Sequence, residues 1–249
     1  MLTQERYQSI LSIINERNAV TVAELSQMLQ TSESTIRRDL NTLDELGKLN
    51  KVFGGATAIA PNEGIVEEHV STREGMMREE KTAIAKYCAT LVNDADFVYI
   101  DAGTTTSRLI DFLDNKQATY VTNGIVHARK LIQRGLRAFI IGGKVKPVTE
   151  AVVGAEGIDC LKRLNFSKAF MGTNGIDLHA GFTTPDSEEA MIKEAVINHS
   201  YMAFVIADHT KFRRVFPVSF SPLTKCCVIT DMVPDAQFAK ETIVKEVNK

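Results

Sequence analysis

Apolar residues recur at helical spacing through the first quarter of the chain. Tyr7, Ile10, Leu11 and Ile14 predict a helix over residues 3–17. Thr21-Val22-Ala23-Glu24 has the form of a capping box, which satisfies orphan amides at a helix start; Leu25, Met28 and Leu29 then supply the stripe of a second helix, over residues 22–30. Ser32 can cap a third, whose apolar face is Ile36, Leu40 and Leu43 and which is expected to stop at Gly47, a residue at ease in the left-handed conformation. Leu49-Asn50-Lys51-Val52 and Ala56-Thr57-Ala58-Ile59 flank Phe53-Gly54-Gly55, the signature of a short hairpin. Residues 1–59 therefore read as a winged helix-turn-helix, mostly α with a small β wing. A polar, acidic stretch follows over 60–77, with Pro61-Asn62-Glu63-Gly64 and Glu67-Glu68-His69, and reads as a linker. A helix beginning near Arg78 carries Ile84, Tyr87, Cys88 and Leu91. Beyond it, strand-like runs at 97–101, 120–122, 138–142, 168–172, 203–208 and 226–230 alternate with helical ones. Such alternation predicts an α/β domain over 78–249 with a mostly parallel sheet covered by helices.

Two short helices joined by a tight turn, the second presenting arginines, make a DNA reader. At about 100° per residue, Ser34, Arg38, Asn41 and Thr42 point away from the apolar stripe of the third helix, with Arg37 and Lys48 on one flank and Asp39 on the other. Arg38 is therefore assigned to base edges, where an Arg binds guanine bidentately and an Asn such as Asn41 binds adenine; Arg37 is assigned to the phosphate backbone. Thr35 at the helix entry, and Lys48 and Lys51 toward the wing, complete the candidate DNA contacts. The plainer alternative is a small helical subdomain with a solvated face. Net charge favours it, since Arg6, Arg17, Arg37, Arg38, Lys48 and Lys51 are outnumbered by Glu5, Glu16, Glu24, Glu33, Asp39, Asp44 and Glu45. Placement favours DNA, because most of these cations lie at the reading helix and wing.

The whole chain has 249 residues, 44% of them hydrophobic, and a formal net charge of −2, which accommodates a small reader and a larger domain with its own core. No apolar run approaches the ~20 residues of a membrane span, and the start Met1-Leu2-Thr3-Gln4-Glu5-Arg6 is polar, so a cytoplasmic protein is expected. Cys88, Cys160, Cys226 and Cys227 show neither metal spacing nor a disulfide framework, and reduced thiols are expected. No cofactor or metal is implied.

In sheets of this kind ligands sit beyond the carboxyl ends of strands, where polar residues collect here. The first strand runs into Asp101-Ala102-Gly103-Thr104-Thr105-Thr106, whose glycine, hydroxyls and helix start suit a phosphate. Later strands end in Thr122-Asn123-Gly124, Gly142-Gly143-Lys144, Gly172-Thr173-Asn174-Gly175 and Asp208-His209-Thr210-Lys211. One such loop is commonly just a turn with a capped helix. Five together point to a small anionic, polar ligand. Lys193, on a helix over 187–199, is by spacing alone an ordinary solvated lysine.

The run from Arg6 to Ser32, with Thr35-Ile36-Arg37-Arg38-Asp39-Leu40, Gly47 and Gly54-Gly55-Ala56, resembles the amino-terminal domain of the DeoR family of bacterial sugar-metabolism regulators. The resemblance continues through Asp101 to Thr106, Thr122-Asn123, Gly142-Gly143, Thr183-Thr184-Pro185-Asp186-Ser187-Glu188-Glu189-Ala190 and Ala207-Asp208-His209-Thr210-Lys211-Phe212, covering nearly the whole chain. It departs at Lys51 and Phe53, where the family usually has Arg and His before the paired glycines. The resemblance implies an effector half similar to the sugar-phosphate isomerase superfamily, in which a lysine on the helix corresponding to that of Lys193 belongs to the active site. Where ribose-phosphate isomerases carry a Gly-Ala-Asp-Glu type segment with an acid–base carboxylate, this chain has Gly172-Thr173-Asn174-Gly175. An amide cannot exchange protons but can bond a sugar hydroxyl.

The resemblance thus implies a non-enzymatic repressor that binds double-stranded operator DNA as a homo-oligomer, dimer or tetramer, and is released by a phosphorylated sugar. The candidate effector contacts are Asp101, Gly103, Thr104, Thr105, Thr106, Thr122, Asn123, Gly142, Gly143, Lys144, Asn174, Asp186, Glu188, Lys193, Asp208 and Lys211. A second reading is a sugar-phosphate isomerase with an accessory DNA-binding domain, for which Asp177, Asp186, Glu188 and Asp208 are the available carboxylates. The reader domain and Asn174 favour the first. Within the family the segments at 1–6, 32–35, 174–176 and 183–186 look most like fructose-operon repressors, for which the effector would be fructose 1-phosphate. Lactose, tagatose, galactitol and amino-sugar regulators share the same frame, and the loop residues do not separate one ketose phosphate from another.

Overall fold

Thr21 and Glu24 cap each other as their spacing predicts. The Thr21 hydroxyl accepts from the Glu24 amide at 3.2 Å, and the Glu24 carboxylate accepts from the Thr21 amide at 2.8 Å. The computed structural model describes residues 3–46, 48–58 and 70–247. Its chain divides into two units, Met1–Gly64 and Ile65–Lys249. The first unit contains α1 (Thr3–Arg17), β1 (Ala19–Thr21), α2 (Val22–Leu29), α3 (Glu33–Glu45), β2 (Asn50–Val52) and β3 (Gly55–Thr57). Ser32 is the N-cap of α3, its hydroxyl accepting from the Thr35 amide at 3.4 Å. Gly47, expected to end that helix, and Ile59, expected in the wing, lie outside the described residues. Ile10, Ile14, Leu25, Ile36, Leu40 and Leu43 form one core with Val20 and Ala56 from the sheet and Leu49 just before it. That sheet has the order β1-β3-β2, all antiparallel. Its β1 was not predicted, because three residues are too few to show an alternating pattern.

The second unit contains α4 (Val70–Gly75), α5 (Arg78–Ala89), β4 (Phe97–Ile100), α6 (Thr104–Ile110), β5 (Thr119–Thr122), α7 (Ile125–Gln133), β6 (Arg137–Ile140), β7 (Lys144–Val145), β8 (Val152–Val153), α8 (Ala155–Leu161), β9 (Phe166–Met171), β10 (Gly175–Asp177), β11 (Gly181–Thr184), α9 (Ser187–Asn198), β12 (Ser200–Ile206), β13 (Val218–Ser221), β14 (Cys227–Thr230), α10 (Phe238–Glu241) and β15 (Val244–Glu246). All six predicted strands are present in one seven-stranded sheet, joined by β15 at an edge. Its order is β15-β14-β12-β9-β4-β5-β6, and every pairing is parallel. Successive residues of β4 serve opposite faces: Tyr99 packs with Phe166, Ile192 and Val196, whereas Val98 and Ile100 pack with Ile84, Leu109 and Leu131. Burial on both faces explains why these strands read as continuous apolar runs.

The chain proceeds from β4 outward to β5 and β6, and from β9 outward to β12, β14 and β15. The order therefore reverses between β4 and β9, which opens a crevice beyond their carboxyl ends. The second half of the expected linker is corrected by α4, which packs on α6 within the second unit; residues 60–69 lie outside the described residues. A small antiparallel sheet, β10-β11-β13, also goes beyond the predicted parallel one. Among the described residues no helix is long and apolar enough to cross a membrane. All four cysteines are free thiols, and burial pushes Cys226 up to about 12.

Candidate functional site

On α3, Ile36, Leu40 and Leu43 face the core, and Ser34, Arg37, Arg38 and Asn41 are exposed, with Thr35 and Thr42 half-buried. Lys48 and Lys51 are exposed on the wing side. Two neighbours change the electrostatics expected from sequence. Asp39, expected on an open flank, is buried, because it lies three residues after Ile36 and four before Leu43 and there meets Arg6 of α1 at 2.5 Å. That pairing takes one acid off the face. Arg37, by contrast, reaches back to Glu33 at 2.8 Å, in an exposed pair that contributes little to stability. Arg38 keeps its guanidinium on the open face, and its carbonyl accepts from the Thr42 hydroxyl at 3.2 Å.

In the second unit a cavity of about 160 Å³ sits beyond the ends of β4, β9 and β12. Of the sequence-predicted residues, Gly103, Thr104, Thr105, Asn174, Lys193, Asp208 and Lys211 line it. Asp101 lies beneath, buried against the Lys193 ammonium, and accepts from the Gly172 amide at 2.9 Å while Lys193 also donates to the Gly172 carbonyl at 3.1 Å. This buried pair ties β4, β9 and α9 together. Burial pushes the Asp101 carboxyl up, with Lys193 and the Gly172 amide pulling the other way. Asn123 and Thr106 also act from below: Asn123 Oδ1 accepts from the Ala102 amide at 2.8 Å, and the Thr106 hydroxyl donates to the Asp101 carbonyl at 2.6 Å. The Gly103 amide stands 3.3 Å from His127 Nε2. The amides of Ala102 and Gly103 are thus engaged within the fold, while the side of the loop at Thr104 and Thr105 lines the cavity. Gly103 itself is extended, at φ −173.

The remaining predicted residues lie elsewhere, for a topological reason. β5 and β6 stand on the far side of β4 from the reversal point, so Thr122, Gly142, Gly143 and Lys144 at their ends do not line the cavity. Thr122 is buried and its hydroxyl accepts from the Gly124 amide at 3.0 Å. Gly143 packs under the Val153 carbonyl. Lys144 pairs with Glu188 at 2.9 Å on the surface. Asp186 caps α9 and meets Lys146 at 3.0 Å. Burial pushes its carboxyl up, but the Glu189 amide and Lys146 outweigh this and hold it below the usual carboxylate range. Asp177 caps its own turn through the His179 and Ala180 amides.

Five lining residues that matter were not anticipated: Arg73, Lys81, Thr149, Glu189 and Arg214. Arg73 comes from the stretch read as linker. Its Nε is buried without a hydrogen-bond partner among the described residues. Its carbonyl accepts from the Lys81 ammonium at 2.5 Å, and burial pushes that ammonium below the ordinary lysine value. Glu189 accepts from Lys146 at 3.0 Å and from the Thr149 hydroxyl at 2.9 Å. The Thr183 to Ala190 motif, in which it follows Glu188, offered the one signal for it.

The chain matches the family model described as DeoR-like helix-turn-helix domain over residues 6–62 and that described as DeoR C terminal sensor domain over residues 76–232. It is 38% identical over 251 residues to the uncharacterized HTH-type transcriptional regulator FruR of Bacillus subtilis (strain 168), with 99% of each chain covered. It is 31% identical to a lactose phosphotransferase system repressor of Staphylococcus epidermidis, with 91% of each covered. Among solved structures, ribose 5-phosphate isomerase A from Methanocaldococcus jannaschii is similar over 55% of each chain, at 14% identity and a TM-score of 0.42. With both of its units matched in order, the chain belongs to the DeoR family of helix-turn-helix transcriptional regulators.

Proposed function

We propose that the protein represses a sugar-utilisation operon, binding double-stranded operator DNA through α3 and the wing as a homo-oligomer, and leaves the DNA when a phosphorylated sugar fills the cavity of the second unit. The observation that carries this reading is the charge of the cavity. Arg73, Lys81, Lys193, Lys211 and Arg214 line it against two carboxylates, Glu189 and Asp208. The buried, unpartnered Arg73 Nε lacks the acceptor that a phosphate oxygen would supply. Asn174, whose Oδ1 accepts from the Thr184 hydroxyl at 3.1 Å, and Asp208 are placed to bond sugar hydroxyls. The site is read as non-catalytic, because Asn174 cannot exchange protons, Asp177, Asp186 and Glu188 do not line the cavity, and Asp208, which does, is buried with its Oδ1 accepting from the Thr210 amide at 3.1 Å. The protein is read as cytoplasmic, where bacterial operator DNA lies. The name of one similar protein, a lactose phosphotransferase system repressor, fits a regulator that answers to phosphorylated sugars. Fructose 1-phosphate is the first candidate.

Thermal stability of the full chain against sugars and sugar phosphates tests the ligand class. A ligand at 100 times its dissociation constant stabilises the native state by about 2.7 kcal/mol, enough to move the unfolding midpoint. Fructose 1-phosphate is expected to raise the midpoint and free fructose to leave it in place. Equal shifts with both would remove the phosphate from the reading.

A further inference from the structure

The hairpin that follows the reading helix ends in an uncovered ring. Phe53 is fully exposed, more so than any other large apolar residue among those described, and Val52 beside it is about half exposed. The turn that carries the ring is nevertheless held in a defined place. β2 and β3 close with Val52 opposite Gly55, so Phe53-Gly54 is the two-residue turn. Gly54 there takes a φ of +81, which glycine alone adopts without strain. The Gly54 carbonyl accepts from the Val22 amide at 2.9 Å, and the Lys51 amide donates to Asp44 Oδ1 at 2.8 Å. The second bond fastens the hairpin to the last turns of α3. The backbone that carries the ring is therefore fixed relative to the reading helix within one unit before any DNA arrives.

A phenyl ring makes no ion pair with phosphate and no hydrogen bond to a base edge. Apolar side chains instead act on DNA by entering between base steps from the minor groove, where they unstack the step and kink the duplex. We propose that Phe53 is such a wedge: with α3 in the major groove, the hairpin carries the ring into the adjoining minor groove and partly unstacks one base step. Recognition then extends to a position that α3 does not touch. It favours an easily unstacked pyrimidine–purine step there.

This inference rests on DNA binding by the first unit, and its test separates the two. The full chain selects duplexes from a randomised pool. On the selected duplex, affinity is measured by fluorescence anisotropy and bending by circular-permutation mobility, for the parent, Phe53→Ala, Phe53→Leu and Arg38→Ala. Phe53→Ala is expected to lose the bend and about tenfold in affinity, with an unchanged salt slope because no phosphate contact is removed. Its thermal midpoint should match the parent, since among the described residues nothing packs on the ring, and Phe53→Leu should keep the bend. If Phe53→Ala binds within about twofold of the parent and bends DNA equally, while Arg38→Ala loses binding, the wedge is overturned and the reading helix stands.

Discussion

Arg37 and Arg38 are adjacent in the chain and differ in what surrounds them. Arg38 projects from the face opposite Ile36 and Leu40, whereas Arg37 leans along the helix to Glu33. Arg38→Ala should relax base preference at one operator position, at a cost of about 1–3 kcal/mol. Arg37→Ala should weaken all sequences alike and reduce the salt slope by about one. Binding profiles of the two variants over a mutated operator series check this division, and identical profiles contradict it. A different residue sets an acid limit on the second unit. Burial pushes the His127 imidazole from its ordinary value near 6.5 down to about 4. Above pH 6.5 the ring is neutral in both folded and unfolded chains. As the pH falls from 6.5 to about 4, the unfolded chain takes up a proton that the folded chain refuses, and stability drops by up to about 3 kcal/mol. His127→Gln should flatten the urea-unfolding stability between those pH values. Gly124 belongs to the same device, because a Cβ there would lie 2.5 Å from His127 Nδ1. Single residues of the reading face were legible because helical spacing alone assigns a face. Arg73 was not, because the cavity it lines is assembled from residues distant in sequence.

At the scale of elements, caps and periodicity decide what is legible. Ser32 starts α3 and holds its first turn, so Ser32→Ala should cost the first unit about 1 kcal/mol, read as a lowered midpoint in chemical denaturation. An unchanged midpoint would show that the hydroxyl at 3.4 Å from the Thr35 amide contributes nothing. α1, α2, α3 and the six long strands announce themselves through repeated apolar positions. β1, β10 and β15 have three residues each and no room for a pattern. β10 and β11 also begin with Gly175 and Gly181, a residue type that argues against a strand when read locally. They exist because tertiary partners supply the ladder. α4 escaped notice for a related reason: six residues are too few to show a stripe, and its role is to bring Arg73 to the cavity, with Met76 and Met77 following it there.

Across the whole molecule, the strand order decides which of the five polar strand ends meet in one site. Sequence reveals the strands without their order, so it could not tell that the ends of β4, β9 and β12 converge while those of β5 and β6 stand apart. A regulator of this design links two equilibria. By reciprocity, a sugar phosphate that weakens DNA binding must itself bind less well to the DNA-bound form, and a ligand with equal affinity for both forms shifts nothing. The most direct measurement is fluorescence anisotropy of a selected duplex with the full chain, titrated with fructose 1-phosphate, fructose 6-phosphate and free fructose, for the parent and for Lys81→Ala. One of the two phosphates should release the DNA from the parent while free fructose does not, and Lys81→Ala should bind the duplex normally yet resist release. DNA affinity that is indifferent to every phosphate, or release by free fructose alone, would contradict the coupling of an anionic sugar site to DNA binding.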